Sequence, residues 1–234
     1  MNDEAIPTGC ESIDALLGGG FERGTVTQLY GPPAAGKTNL ALAAAVETAV
    51  AGGLAVFVDT EGVSGDRFEQ LLAARTDDVS DAASRIVIEE AHDFAEQEEA
   101  VRDSEAFADR ADLIVVDSAT GFYRLERDRE DGGGALRAVA RQVTHLLSLA
   151  RKHDLAVVLT NQVFADPDSE SDRTRALGGN TLEHWTGTIL RIERFRGGNR
   201  RATLEKHRSK PAGESARFRI TDAGLEGSDD AAEA

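Results

Sequence analysis

The chain has 234 residues, 41% of them hydrophobic, which suffices for one substantial core and, by length, for one domain with at most a small appendage. Acidic residues outnumber basic ones 42 to 26, for a net charge of -16, and within the basic set Arg outnumbers Lys 22 to 4. With no run of about 18 apolar residues and no charged-then-apolar leader, the sequence argues against a membrane span and against secretion.

A soluble cytoplasmic protein without membrane contact is therefore expected. The single cysteine, Cys10, cannot form an internal disulfide, which fits a reducing compartment. The acidic excess has two readings: a partner that is itself basic, or adaptation to a high-salt cytoplasm, where net charge maintains solubility.

In chain order, apolar periodicity predicts alternating strands and helices. TVTQLYG (25–31) reads as a strand feeding a helix over about 38–51, and LAVFVD (54–59) as a strand before a helix near 65–75. RIVIEE (85–90) is a strand before an acidic helix near 93–109. ADLIVVDS (111–118) is apolar without interruption, as a strand buried on both faces requires; a polar loop separates it from a helix over about 135–153. LAVVLTNQV (155–163) is a further buried strand. The alternation predicts an α/β fold, a mainly parallel sheet flanked by helices on both faces. FADPDSESDRTRALGGN lacks periodicity and reads as a long loop. TGTILRIERF, RRATLEKHR and ARFRIT then read as C-terminal antiparallel strands joined by Gly-rich turns. The expected domain spans residues 1–222, with a frayed, disordered acidic tail over 223–234.

GPPAAGKT places Gly31, Gly36, Lys37 and Thr38 at the G-x-x-x-x-G-K-[ST] spacing, between a buried strand and a strong helix. The glycines let backbone N–H groups turn inward around a β-phosphate. Pro32, Pro33, Ala34 and Ala35 span the loop, and Asn39 follows in the first helical turn. Lys37 reaches phosphate oxygens, the Thr38 hydroxyl ligates Mg²⁺, and the helix N-terminus adds its positive dipole end. ATP and Mg²⁺ are the cofactors this implies. The hydrated metal needs a carboxylate at the end of a buried strand, and Asp117 stands there. Beyond the strand ending in Asp59, Glu61 can orient an attacking water; Gln162, ending the last parallel strand, can hydrogen-bond a γ-phosphate.

These positions together resemble the RecA-like recombinase superfamily, and within it the archaeal branch shared with eukaryotic strand-exchange proteins. The resemblance runs from about residue 6 to 222 and is carried by TGCESIDALLGGGFERGTVTQLYGPPAAGKT (8–38), DTEG (59–62), LIVVDS (113–118), TNQV (160–163) and ALGGNTLEHW (176–185). It implies a RecA-like P-loop ATPase core, with Lys37, Thr38 and Asp117 on phosphate and metal, Glu61 as the water-orienting acid and Gln162 as the sensor. Arg67 would lie near the base. Residues 118–134 would be the first DNA-facing loop and 163–180 the second.

Only MNDEA precedes the core here, and no Phe-x-x-Ala polymerisation motif occurs. The chain is thus more similar to a short paralogue of the recombinase RadA than to RadA itself. By that resemblance it is a weakly hydrolysing ATPase, a monomer or small homo-oligomer, that assists a RadA-type recombinase on single-stranded DNA during repair and recombination. An autonomous strand-exchange enzyme and a KaiC-like signalling ATPase are the alternatives.

The charge distribution adds a further expectation. Residues 191–219 carry ten basic and three acidic side chains, whereas residues 1–190 are strongly acidic. The second loop offers only Arg173 and Arg175 to a phosphate backbone, so Arg200, Arg201, Lys206, Arg208 and Lys210 are the stronger candidates for DNA contact. An Arg-rich hairpin paired to acids elsewhere, or basic groups facing ATP across a protomer interface, is the other reading of the same residues.

Overall fold

The computed structural model describes residues 5–123, 133–164 and 175–228. Nine strands form one sheet in the order β10-β9-β8-β7-β1-β5-β4-β2-β3. The parallel part comprises β1 (Val26–Gly31), β2 (Leu54–Asp59), β3 (Ile86–Glu90), β4 (Ala111–Asp117), β5 (Ala156–Phe164) and β7 (Thr188–Arg194). Past β7 the sheet turns antiparallel through β8 (Asn199–Lys206), β9 (Ser215–Thr221) and β10 (Gly224–Gly227). A short β6 (Arg175–Ala176) pairs with the end of β5.

Strand alternation divides the core into two layers. On β4, Leu113 and Val115 face one layer and Ile114 and Val116 the other, so an unbroken apolar run is what this strand needs. The first layer packs α1 (Glu11–Leu17), α2 (Lys37–Val50) and α3 (Gly65–Ala73). The second packs α5 (Phe94–Asp103) and α6 (Gly133–His153), together with α7 (Gly179–Trp185). Helix α2 is buried nearly all round; its run of alanines lets it lie close against β1, β2 and β4.

Several elements depart from the sequence expectations. Helix α1 was not foreseen, because seven residues give too few turns for a periodicity. It is held instead by contacts remote in sequence: Thr8 N donates to Asp14 Oδ1 at 2.8 Å, and Lys210 Nζ donates to the Ala15 and Leu16 carbonyls at 3.0 and 2.7 Å. A short α4 (Val79–Ala83) precedes β3. The acidic helix near 93–109 ends at Asp103 and continues as a 3₁₀ turn, Ser104–Phe107. Residues 224–227, expected to belong to a tail from residue 223, pair with β9 instead and place Leu225 in the core, and residues 229–234 lie outside the described residues.

The antiparallel strands are part of the same core. Ala202, Leu204 and Phe218 join the α2 layer, and Phe218 is fully buried. Phe218→Ala should therefore cost about 3–5 kcal/mol of stability, the range for emptying a buried aromatic site. Denaturant unfolding of the two proteins checks this; a loss below about 1 kcal/mol would mean that β8 to β10 pack independently of the rest.

Candidate functional site

The C-terminal ends of the parallel strands meet where β1 lies between β5 and β7, the place at which open α/β sheets bind ligands. The loop from Gly31 to Gly36 leaves β1 there and enters α2. Gly31 is obligatory for packing, because a Cβ at this position would stand 2.1 Å from the Ile192 carbonyl oxygen. Gly36 has φ 110°, a left-handed conformation that favours glycine, and Ala34 holds φ 59°. Pro33, Ala34, Gly36, Lys37, Thr38 and Asn39 line one side of a hollow of about 310 Å³.

Lys37 is almost wholly buried, and its Nζ donates to the Gly31 carbonyl at 3.0 Å and the Pro32 carbonyl at 3.1 Å. Burial pushes its pKa down, opposed by the charges of Glu61 and Asp117. The ammonium thus rests on the carbonyls of the loop that leads into α2.

Asp117 ends β4 at 1% exposure. Its carboxyl is pushed up to about 6 by burial; the Thr160 hydroxyl, which donates to Oδ1, opposes the rise, and the Thr38 hydroxyl opposes it less. Oδ2 has no hydrogen-bond partner among the described residues. An orphaned buried carboxylate oxygen beside Thr38 is the kind of group a hydrated Mg²⁺ satisfies. Among the described residues no group of three or more His, Cys, Asp or Glu could hold a metal.

Glu61 and Gln162 also line the hollow, and Gln162 Nε2 donates to Glu61 Oε1 at 3.2 Å. What positions Glu61 is Asp59, whose role the sequence left open. Its carboxylate accepts from the backbone N–H groups of Glu61, Gly62 and Val63 at 3.0, 3.0 and 2.5 Å, fixing the DTEG turn. Asp59 is a structural cap and faces its own loop.

Arg67 is brought to the site's edge but does not line the hollow. Its Nε donates to Asn39 Oδ1 at 3.1 Å, while Nη1 and Nη2 donate to the Asp222 and Thr221 carbonyls at 3.2 and 2.9 Å. It ties α3 and α2 to the β9–β10 turn.

The candidate DNA cations do not converge on a surface. Arg200 lines the hollow over the 31–36 loop, with its Nε 3.1 Å from the Ala35 carbonyl. Arg201 pairs with Glu193 at 3.1 Å and lies over the Phe195 ring. Lys206 Nζ donates to the Glu183 and Thr186 carbonyls at 2.6 and 2.7 Å, Arg208 pairs with Glu22, and Lys210 caps α1. They are dispersed because β8 points alternate residues to opposite faces and each of these cations bonds to a carbonyl or carboxylate of the chain. Lys206 and Arg208 do border a second hollow, beside the partly exposed Trp185. Arg173 lies outside the described residues; of Arg175, the backbone pairs with Phe164 in β6. Of the loops expected to face DNA, only 118–123, 133–134, 163–164 and 175–180 are described. Arg194, which sequence reasoning missed, also lines that hollow; only the β7–β8 register, which sets it opposite Arg200, reveals it.

A family model described as Rad51 matches residues 4–228. Proteins named DNA repair and recombination protein RadB are similar along nearly the whole chain. That of Halobacterium salinarum is 69% identical over 96% of this chain and 96% of its own, and that of Methanococcoides burtonii 44% identical over 95% and 97%. A solved crystal structure of the RadB recombinase superposes with a TM-score of 0.82 at 38% identity, covering 96% of this chain and 100% of that one. Among the described residues no helix is long and apolar enough to cross a membrane.

The raised Asp117 pKa has a definite sign for stability. The folded carboxyl binds its proton more tightly than the unfolded one, whose pKa is near 3.8. Stability from this group is therefore full below pH 4, is lost as pH rises to about 6, and stays lost above. In a chelator without nucleotide, Asp117→Asn should gain about 1–3 kcal/mol over the parent at pH 7.5, and the gain should shrink towards zero by pH 4. Paired urea melts across that range measure it; a difference independent of pH would contradict the assignment.

Proposed function

The chain belongs to the Rad51 family, in the branch whose members carry the RadB name, and we propose that it is an ATP-binding, weakly hydrolysing accessory protein of DNA repair and homologous recombination. One observation carries this reading: Lys37, Thr38, Glu61 and Gln162 surround a single hollow, with the orphaned Asp117 oxygen close behind it. These residues fit MgATP. When bound, it supplies a cleavable anhydride bond and a divalent charge.

The chain's own residues have the following tasks. Lys37 exchanges the Gly31 and Pro32 carbonyls for phosphate oxygens. Asp117 and Thr38 would hold the metal from the β4 and α2 sides. Glu61 orients the attacking water, and its bond to Gln162 links that water to the end of β5, from which the expected second DNA loop departs. Slow turnover is supported by the loop's stiffness: Pro32 and Pro33 fix two φ angles, and Ala34 sits in the left-handed region.

Action with a RadA-type recombinase on single-stranded DNA is the finer part of the proposal and draws on the family. The surface best suited to a single strand surrounds Trp185, where Arg151, Lys206 and Arg208 flank an indole 38% exposed. Thr25 borders that surface at the opposite end of β1 from the phosphate loop, about 20 Å away for six strand residues. Such a distance favours ATP as a conformational ligand over tight coupling of turnover to DNA. With no Phe-x-x-Ala in the sequence, a monomer or small homo-oligomer is the assembly we assign.

Steady-state and single-turnover assays in molar KCl test the proposal. Glu61→Gln should lower turnover about 100-fold or more while nucleotide affinity stays within about threefold. Single-stranded DNA should stimulate the parent less than about threefold. Turnover unchanged in the variant would remove Glu61 from its role, and tenfold stimulation would return strand exchange by the chain itself to consideration.

A further inference from the structure

Arg194 and Arg200 face each other in the β7–β8 register, and both line the hollow over the phosphate loop. Like charges placed directly opposite on neighbouring strands repel. Among the described residues, neither arginine forms an ion pair, although their neighbours do. Arg191 pairs with Glu193 and Glu205, Arg201 with Glu193, and Arg208 with Glu22. In a chain of net charge -16, two guanidinium groups at one cavity that form no ion pair among the described residues, although Glu61 lines the same cavity, are unusual.

Arg200 is also held in place. Its Nε donates to the Ala35 carbonyl at 3.1 Å and its Nη1 to the Gly198 carbonyl at 2.7 Å. Its Cδ and Nε lie 3.0 Å from where a Gly36 side chain would begin, so the loop and the arginine are fitted to each other. Burial, and then the charge of Arg194, push its pKa down. An anion in the hollow relieves both penalties.

Resting on the nucleotide-site reading above, we propose that Arg194 and Arg200 bind the terminal phosphate of a nucleoside triphosphate from within the same chain, so that the site prefers triphosphate to diphosphate. The hollow they share with Glu61 and Gln162 is the region where a terminal phosphate and its attacking water must meet. Lys37 lies on the loop side of that hollow, and the two arginines close it from the β7–β8 side. A guanidinium suits this task because it stays charged and bonds phosphate through two parallel N–H groups. The Ala35 carbonyl holds Arg200 until the phosphate arrives. Through its fixed place on β8, the arginine carries nucleotide state to the C-terminal strands.

The test is equilibrium binding of MgADP and of a magnesium complex of a non-hydrolysable ATP analogue to the full chain in molar KCl. The parent should bind the analogue at least tenfold more tightly than ADP. Arg200→Gln and Arg194→Gln should each weaken the analogue about tenfold, change ADP less than threefold, and so collapse the preference; Arg200→Lys should restore part of it. Equal losses for both nucleotides, or no loss, would overturn the proposal, because the arginines would then only brace the loop or do nothing there. Arg194 is solvent-exposed, so its variant keeps the test valid should Arg200→Gln unfold, which thermal melts report. Failure of the parent to bind either nucleotide would instead sink the nucleotide-site reading itself.

Discussion

Two opposite charges kept almost out of water, at the edge of a sheet that is apolar on both faces, set the conditions for everything else. Lys37 and Asp117 are 8% and 1% exposed, and several kcal/mol oppose the burial of each ion unless neighbours compensate. For Lys37 the neighbours are loop carbonyls, and for Asp117 a threonine hydroxyl. One carboxylate oxygen remains without a partner among the described residues, and the loop borders an open hollow. The apolar strands serve these two residues: β1 and β4 deliver the loop and the acid to the same edge, and β5 between them delivers Thr160 and Gln162.

The antiparallel extension completes this edge. Ile192 closes on Gly31 so tightly that no side chain fits, Ile220 and Arg200 close on Gly36, and Arg67 fastens the β9–β10 turn to Asn39 beside the phosphate loop. The basic C-terminal segment is thereby explained in large part as internal structure. In molar salt the Debye length falls to about 3 Å, so exposed cations attract a polyanion only at contact. Basic side chains bonded to carbonyls or carboxylates a few Å away remain useful under those conditions. The two arginines that form no ion pair among the described residues, Arg194 and Arg200, share the hollow over the 31–36 loop with Glu61 and Gln162.

What was legible in the sequence is what is local. The phosphate loop is a contiguous spacing, Asp117 ends an unmistakably buried strand, and the β/α alternation carries the parallel sheet; all of these depend on residues near one another in the chain. What was not legible depends on distant pairing. Lys210 appeared to be a DNA contact because its partners, the carbonyls of α1, lie some 195 positions away. Arg200 was grouped with its basic neighbours, although strand alternation sends it to the nucleotide side and Arg201 to the other. β10 was taken as tail because four residues, two of them glycine, carry no periodicity. Glu61 and Gln162 could be named from a family resemblance, but their mutual contact and the Asp59 cap that sets it belong to the folded chain alone.

Calorimetric titration of MgATP into the purified chain in molar KCl, beside Lys37→Ala, decides whether this edge is a nucleotide site. One site per chain is expected for the parent, with binding abolished in the variant while its melting temperature stays within a few degrees. Undiminished binding by a folded Lys37→Ala protein, or no binding by the parent, would contradict a site built around the buried ammonium and carboxylate.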